Sequence, residues 1–156
     1  MERLVSDIMS SPVITIEQWE SLLDVAQDMK RHHLRHLPVV DGSRLVGLVS
    51  HRDLLACSVS RLSTSPDREE RDRLEKRNTF VGDVMTRHIE TIRATDTIAH
   101  AARKLLVGRF GCLPVVDEEQ ELVGIVTEID LLRVLAGGDG PRGARAVDPH
   151  VARGSQ

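Results

Sequence analysis

The chain is written twice, and this duplication constrains its fold more than any other feature. Val5, Asp7, Met9, Thr15 and Ile16 return as Val81, Asp83, Met85, Thr91 and Ile92, at a spacing of 76 residues. Leu37-Pro38-Val39-Val40-Asp41 returns at the same spacing as Leu113-Pro114-Val115-Val116-Asp117. One extra residue then enters the second copy. At a spacing of 77, Leu45-Val46-Gly47, Val49 and Asp53-Leu54-Leu55 match Leu122-Val123-Gly124, Val126 and Asp130-Leu131-Leu132. So long a period lies outside the solenoid repeats, and it predicts two copies of one supersecondary unit packed on each other, neither stable alone.

Periodicity and punctuation order the elements inside each copy. Val13-Ile14-Thr15-Ile16 is a short β-branched run that reads as a strand, and Leu22, Val25, Ala26 and Met29 then share one helical face. Pro38 forbids helix just before it. Val39-Val40, the Asp41-Gly42 turn and Leu45-Val46-Gly47-Leu48-Val49 read as a hairpin. Ser50 is positioned to cap a second helix over His51-Arg52-Asp53-Leu54-Leu55. The predicted class is α+β, with two β-α-β-β-α repeats packed about a pseudo-two-fold axis and small three-stranded sheets flanked by helices.

The domain reading is a first repeat over 1–60, a charged linker helix over 61–78, a second repeat over 79–136 and a Gly/Pro-rich tail over 137–156. In the linker 11 of 18 residues are charged. Ser65-Pro66 reads there as N-cap and N1 proline, with acids early and bases late, as the helix dipole favours. Mixed charge of this kind marks a solvated helix. The tail has no Leu, Ile or Phe and should pack poorly.

Composition removes several classes of function. With 21 Lys+Arg against 24 Asp+Glu, the 156-residue chain has a net charge of -3 and lacks the basic excess that binds nucleic-acid backbones. Its aromatics are Trp19, Phe80 and Phe110 alone, too few to stack unpaired bases. Cys57 and Cys112 form neither a disulfide framework nor a CxxC pair, which fits a reducing cytoplasm. Neither a membrane span nor a signal peptide is expected from the apolar patterning. No nucleophile-base-acid set, Walker loop or zinc-ligand pattern is present, so no catalytic residues, metal or resident cofactor are expected, and the chain does not read as an enzyme.

The residue patterns with chemical promise are Ser50-x-x-Asp53 and Thr127-x-x-Asp130. Each places a hydroxyl at a helix N-cap and a carboxylate three residues on, where unpaired N–H groups suit a phosphate and the carboxylate suits a ribose diol. The same spacing is also a capping box, in which the acid folds back on the N-cap N–H. That box prefers the longer Glu or Gln, and the use of Asp in both copies favours a ligand role. Among Arg31-His32-His33-Leu34-Arg35-His36, Pro38 prevents the helical face that would pair His32 with His36 as metal ligands. Arg35, His36 and Arg109 read either as a cationic rim for a phosphate chain or as ordinary surface bases. Cys112 stands where the first copy has His36, and reads as a small buried hydrophobe.

The pattern Asp-Ile/Val-Met-Ser/Thr, Leu-Pro-Val-Val-Asp and Leu-Val-Gly-Leu/Ile-Val-Ser/Thr-x-x-Asp-Leu-Leu, present in both copies, resembles the cystathionine β-synthase (CBS) domain as a tandem pair, a Bateman module. The resemblance covers nearly all of residues 1–136. It implies clefts between the repeats that bind an adenosine-containing nucleotide of the AMP/ADP/ATP class, with S-adenosylmethionine or NAD as lesser candidates and nucleic acid less favoured still. Ser50, Asp53, Thr127 and Asp130 would contact phosphate and ribose. Thr15, Ile16, Leu37, Pro38, Thr91, Ile92, Leu113 and Pro114 resemble the positions that hold adenine, although the plain reading makes them core strands. Ile14 is matched by Glu90, so the two clefts are not equivalent. The resemblance implies a regulatory module acting on a partner protein in trans. Apolar Leu54-Leu55, Leu131-Leu132 and Val134-Leu135 suggest a homodimer. The alternative is a structural or oligomerisation module with unoccupied clefts.

Overall fold

A computed structural model describes residues 2–58 and 64–138 of the chain. The end of the first repeat at 59–60, the start of the linker at 61–63 and the tail from 139 onward lie outside the described residues. Contacts divide the described residues into two compact units, one within 15–42 and 46–89, the other within 2–14, 43–45 and 90–138. Each unit therefore carries the hairpin and helices of one copy together with the opening segment of the other.

In the unit of residues 15–42 and 46–89, helix α1 (Leu22–His32) buries Leu22, Val25 and Met29, the expected face. Its leading Asp24 N–H is capped by Ser21 Oγ at 3.2 Å. The helix stops where His33 turns left-handed, at φ 55°, and Leu34 N–H reaches back to the Met29 carbonyl at 2.9 Å. Strands β1 (His36–Asp41) and β2 (Arg44–Ser50) form a two-stranded sheet. Gly42 turns the chain between them at φ 63°, a conformation glycine adopts without steric cost. Ser50 then opens α2 (His51–Ala56). Helix α3 (Arg68–Asn78) has no buried residue, packs along α1, and carries a Lys76–Asp72 pair one turn apart at 2.7 Å. It begins later than the Ser65-Pro66 signal suggested, because Arg68 N–H bonds the Ser65 carbonyl and closes a turn first, leaving Asp67 at the N-cap.

The segment that opens the second copy completes this unit. Helix α4 (Val81–Val84) is a single turn whose Val81 is fully buried. Thr86 then lies antiparallel to Leu48 on β2, joined by reciprocal backbone bonds of 3.0 and 2.9 Å. On the other side Ile16 runs parallel to Val39 on β1.

The other unit repeats the plan. Val5–Asp7 form one 3-10 turn with Val5 fully buried, and Ser10 pairs antiparallel with Ile125. Helix α5 (Ile98–Gly108) ends with Arg109 left-handed at φ 54°, the counterpart of His33. Strands β3 (Cys112–Val116) and β4 (Leu122–Thr127) pair antiparallel, with Ile92 added by a parallel bridge to Val115, and α6 (Glu128–Leu135) follows. The extra residue of the second copy sits in the turn, where Asp117 Oδ1 accepts from Glu119 N–H and Glu121 N–H and Gln120 turns at φ 65°. Residues Ser43 and Leu45 of this unit bond Leu122 and Gln120 through the backbone. Val5, Ile8, Ile92, Ala101, Leu105, Leu113, Val115 and Val126 form its core.

The expected opening strands contribute one paired residue each, so the sheets are hairpins with single-residue bridges at both edges rather than three full strands. The chain bends away directly afterwards, with Glu20 N–H bonding the Glu17 carbonyl and Asp96 N–H that of Arg93, both at 3.1 Å.

The two glycines of the repeated Leu-Val-Gly pattern explain how the opening segments fit. A Cβ on Gly124 would lie 2.6 Å from Met9 Sδ and 3.2 Å from the Ser10 carbonyl oxygen, and a Cβ on Gly47 would strike Met85 Sδ. Each methionine thus lies against the bare backbone of a strand from the other copy. Gly47→Ala and Gly124→Ala should each lower stability by about 1–3 kcal/mol through overpacking. In urea titrations, adding Met85→Ala to Gly47→Ala should recover part of the loss, and strict additivity would refute the contact.

Candidate ligand-binding site

The two Ser/Thr-x-x-Asp motifs stand at matching places, where the second strand of each hairpin runs into a helix. In both, the aspartate closes a capping box. Asp53 Oδ2 accepts Ser50 N–H at 2.7 Å and the Ser50 hydroxyl at 2.9 Å, while Asp53 N–H donates to Ser50 Oγ at 3.3 Å. Asp130 Oδ2 accepts Thr127 N–H and the Thr127 hydroxyl, both at 2.8 Å, and Asp130 N–H donates to Thr127 Oγ1 at 3.4 Å. Aspartate therefore closes the box in both copies, and its presence in place of the preferred Glu or Gln does not set the motif apart from a cap. The N-cap residue is extended, with ψ 162° at Ser50 and 166° at Thr127, which brings its N–H within reach of the shorter acid.

The supply of free N–H groups at these helix starts is also smaller than expected. His51 N–H bonds the Arg35 carbonyl at 2.8 Å, and Glu128 N–H bonds that of Gly111 at 3.3 Å. With the Asp53 and Asp130 N–H groups taken by the caps, two of the leading donors of each helix are committed. The same bonds bring the stretch before each first strand to its motif. Arg35 and His36 thus meet the start of α2, and Gly111-Cys112 meet the start of α6, with Cys112 opposite Thr127 in register. Arg35 and Arg109 are exposed, and His36 is half-buried.

The proposed adenine wall is core. Ile16, Leu37, Ile92 and Leu113 are 0–3% exposed, and Pro38 and Pro114 are buried. Backbone bonds bring Ile16 to Pro38 and Ile92 to Pro114, each 3.1 Å from N–H to carbonyl. Thr15 and Thr91 are half-buried beside them. The Thr91 carbonyl accepts Lys104 Nζ at 2.7 Å, and Glu90 pairs with the same ammonium at 3.0 Å. Ile14 and Asp28 hold those positions in the first copy, so the two copies differ here as well. His32 ends α1 while His36 lies on β1, and among the described residues no three His, Cys, Asp or Glu side chains gather as metal ligands.

Two functional candidates escaped the sequence reading. Lys104 is one, and Arg133 is the other, with Nη1 3.0 Å from Asp130 Oδ1. The Asp-x-x-Arg spacing on a helix was the available signal for the second.

Family comparison settles the kinship. The CBS domain model matches residues 5–60 and 81–137. The chain belongs to the CBS domain family. It is 37% identical to a CBS domain-containing protein of Dictyostelium discoideum, over 86% of this chain and 92% of that one. It is 30% identical to the L-aspartate semialdehyde sulfurtransferase of Methanocaldococcus jannaschii over 86% of this chain, but spans only 23% of that enzyme, and it spans 47% of a second protein of that organism. Among solved structures, the CBS domain pair of protein MJ0100 in complex with 5′-methylthioadenosine and S-adenosyl-L-methionine superposes with a TM-score of 0.72 and 29% identity, covering 88% of this chain and 98% of that one. CBSX2 of Arabidopsis thaliana, in complex with AMP, gives 0.71 and 31%, covering 86% and 97%. This CBS chain thus has small sheets flanked by helices, as the resemblance implied, each with two strands rather than the expected three. No helix among its described residues is long and apolar enough to cross a membrane.

The cysteine at the His36 position is buried. Cys112 is 3% exposed, and burial pushes its thiol up from 9.0 to about 12. The proton therefore stays on in the folded chain while the unfolded chain loses it above pH 9, so this group's contribution to stability falls as pH rises from 9.0 toward 12. In the native protein at pH 8 a thiol-specific disulfide reagent should label Cys57, which is half-buried, and leave Cys112 untouched until denaturant is added. Labelling of both at equal rates would show the burial to be wrong.

Proposed function

We propose that this CBS pair is a regulatory module that binds an adenosine-containing nucleotide of the AMP/ADP/ATP class and acts on a partner protein in trans. The observation that carries this reading is the duplicated hydroxyl-carboxylate motif at the same hairpin end as a basic stretch, Arg35-His36, in a chain of this family. The AMP bound to CBSX2 and the methylthioadenosine and S-adenosylmethionine bound to MJ0100 support the adenosyl class. In this reading Asp53 and Asp130 receive ribose hydroxyls, Ser50 and Thr127 stand beside the phosphates, Arg35, His36 and Arg109 provide positive charge, and Thr15, Ile16, Thr91, Ile92, Leu37, Pro38, Leu113 and Pro114 flank the base. The chain carries no catalytic role in it, and it works in the cytoplasm. A homodimer belongs to the same proposal, since Leu106, Val107, Leu132 and Leu135 are 58–87% exposed on α5 and α6.

The capping boxes favour a second reading, an oligomerisation module whose motifs only cap helices. Thermal shift with AMP, ADP, ATP, S-adenosylmethionine and NAD separates the two. Ligand at 100 times its Kd should add about 2.7 kcal/mol of stability. Asp53→Ala and Asp130→Ala should each cost about 0.5–2 kcal/mol without ligand through the lost cap. Under the nucleotide reading they also weaken binding by about ten- to hundredfold. Variants that melt earlier yet bind as the parent does would leave only the cap.

The left-handed helix ends give a further check. A non-glycine residue at φ 54° carries a steric cost, so Arg109→Gly should raise ligand-free stability by about 1 kcal/mol. If Arg109 serves the phosphate, the same variant weakens AMP binding and leaves adenosine binding unchanged in calorimetry.

A further inference from the structure

The two motifs differ in what already occupies their carboxylates, a difference that bears on ligand binding if the adenosyl reading holds. Asp53 uses Oδ2 for its cap, and among the described residues no hydrogen bond to its Oδ1 is found. Asp130 uses both oxygens. Oδ2 takes the two Thr127 bonds, and Oδ1 takes Arg133 Nη1 at 3.0 Å. Its side chain is 9% exposed, that of Arg133 is 29% exposed, and Asp130 is the buried charged residue among the described ones. The position three residues after the carboxylate holds Ala56 in the first copy, which cannot make the contact.

A ribose diol offers two hydroxyl donors, and a carboxylate receives both only where lone pairs remain. On Asp130 the cap takes two bonds at one oxygen and the guanidinium takes the other, so the diol must displace Arg133 or settle for a single bond. The competition is intramolecular, because Arg133 sits on the same helix at i+3 and returns whenever the ligand leaves. We propose that Arg133 is a specificity-determining latch on the second-copy motif. It holds the Asp130 carboxylate against the diol, so the second motif binds adenosyl ligands more weakly than the first, which Ala56 leaves open. The two motifs then respond over different ranges of ligand concentration.

The probe is adenosine, because without a phosphate it does not feel the arginine's charge through a second route. Calorimetric titration of the full chain carrying Asp53→Ala, with and without Arg133→Met, isolates the second motif while keeping an apolar stem at 133. The added Arg133→Met change should tighten adenosine binding about three- to tenfold, the effect of freeing one charged hydrogen-bond acceptor from a partly exposed pair. The reciprocal variant, Ala56→Arg in the parent chain, should weaken the tighter adenosine site by a similar factor, and it serves if the first pair of variants does not fold. Unchanged or weaker binding on removing Arg133, or no loss on adding arginine at 56, overturns the latch while leaving the adenosyl reading in place. Absence of binding of both adenosine and AMP by the parent chain overturns both.

Discussion

The rest of the structure depends on where the opening segment of each copy goes. Val5 and Val81 are fully buried, and each lies in the unit that contains the other copy's hairpin. Behind them, Met9 lies over Gly124 and Met85 over Gly47, and Ser10 and Thr86 extend β4 and β2 by backbone pairing. A two-stranded hairpin is marginal by itself in water, whereas one bridged at both edges and covered by a buried valine has a core to lean on. Neither half of the sequence contains all the parts of either unit.

That arrangement also positions the chemistry. Each hairpin presents the stretch before its first strand and the motif after its second strand at one end, joined by the His51–Arg35 and Glu128–Gly111 backbone bonds. The capping boxes then hold the motifs rigid. A box and a ligand site are not exclusive, because the cap uses one carboxylate oxygen and a diol can use the other. Whether that second oxygen is available is where the copies part, with Arg133 against Ala56. Cys112 against His36 and Lys104 with Glu90 against Asp28 and Ile14 add to the asymmetry. Duplication supplied the frame twice, and substitutions around it gave the two motifs different surroundings.

Much of this was legible before any coordinates. The repeat, the order of helix, hairpin and helix, the Gly42 turn and the buried faces of α1 and α5 all follow from periodicity and turn chemistry, which are local and survive in one dimension. The CBS resemblance was legible because its motifs occur in both copies in the same order. The opening strands were overread, since a β-branched run such as Val13–Ile16 signals strand propensity whether or not neighbouring turns leave room for more than one paired residue. The aspartate of the motif was misjudged from side-chain length, because backbone dihedrals at the N-cap, which bring the N–H to the acid, are not written in the residue type.

The sequence by itself determined that there are two copies, which residues face inward along α1 and its counterpart α5, and which residue types stand at each hairpin end. Only the tertiary structure decided that the Val-x-Asp-x-Met segments leave their own copies, that Gly47 and Gly124 are bare because a methionine lies on them, and that Asp130 is held on both oxygens while Asp53 is held on one. The physical reason is range. Periodicity, capping and turns act over a few residues and leave marks at fixed spacings, whereas the approach of Met85 to Gly47 or Met9 to Gly124 joins positions far apart in the chain, and a glycine records that something comes close without recording what.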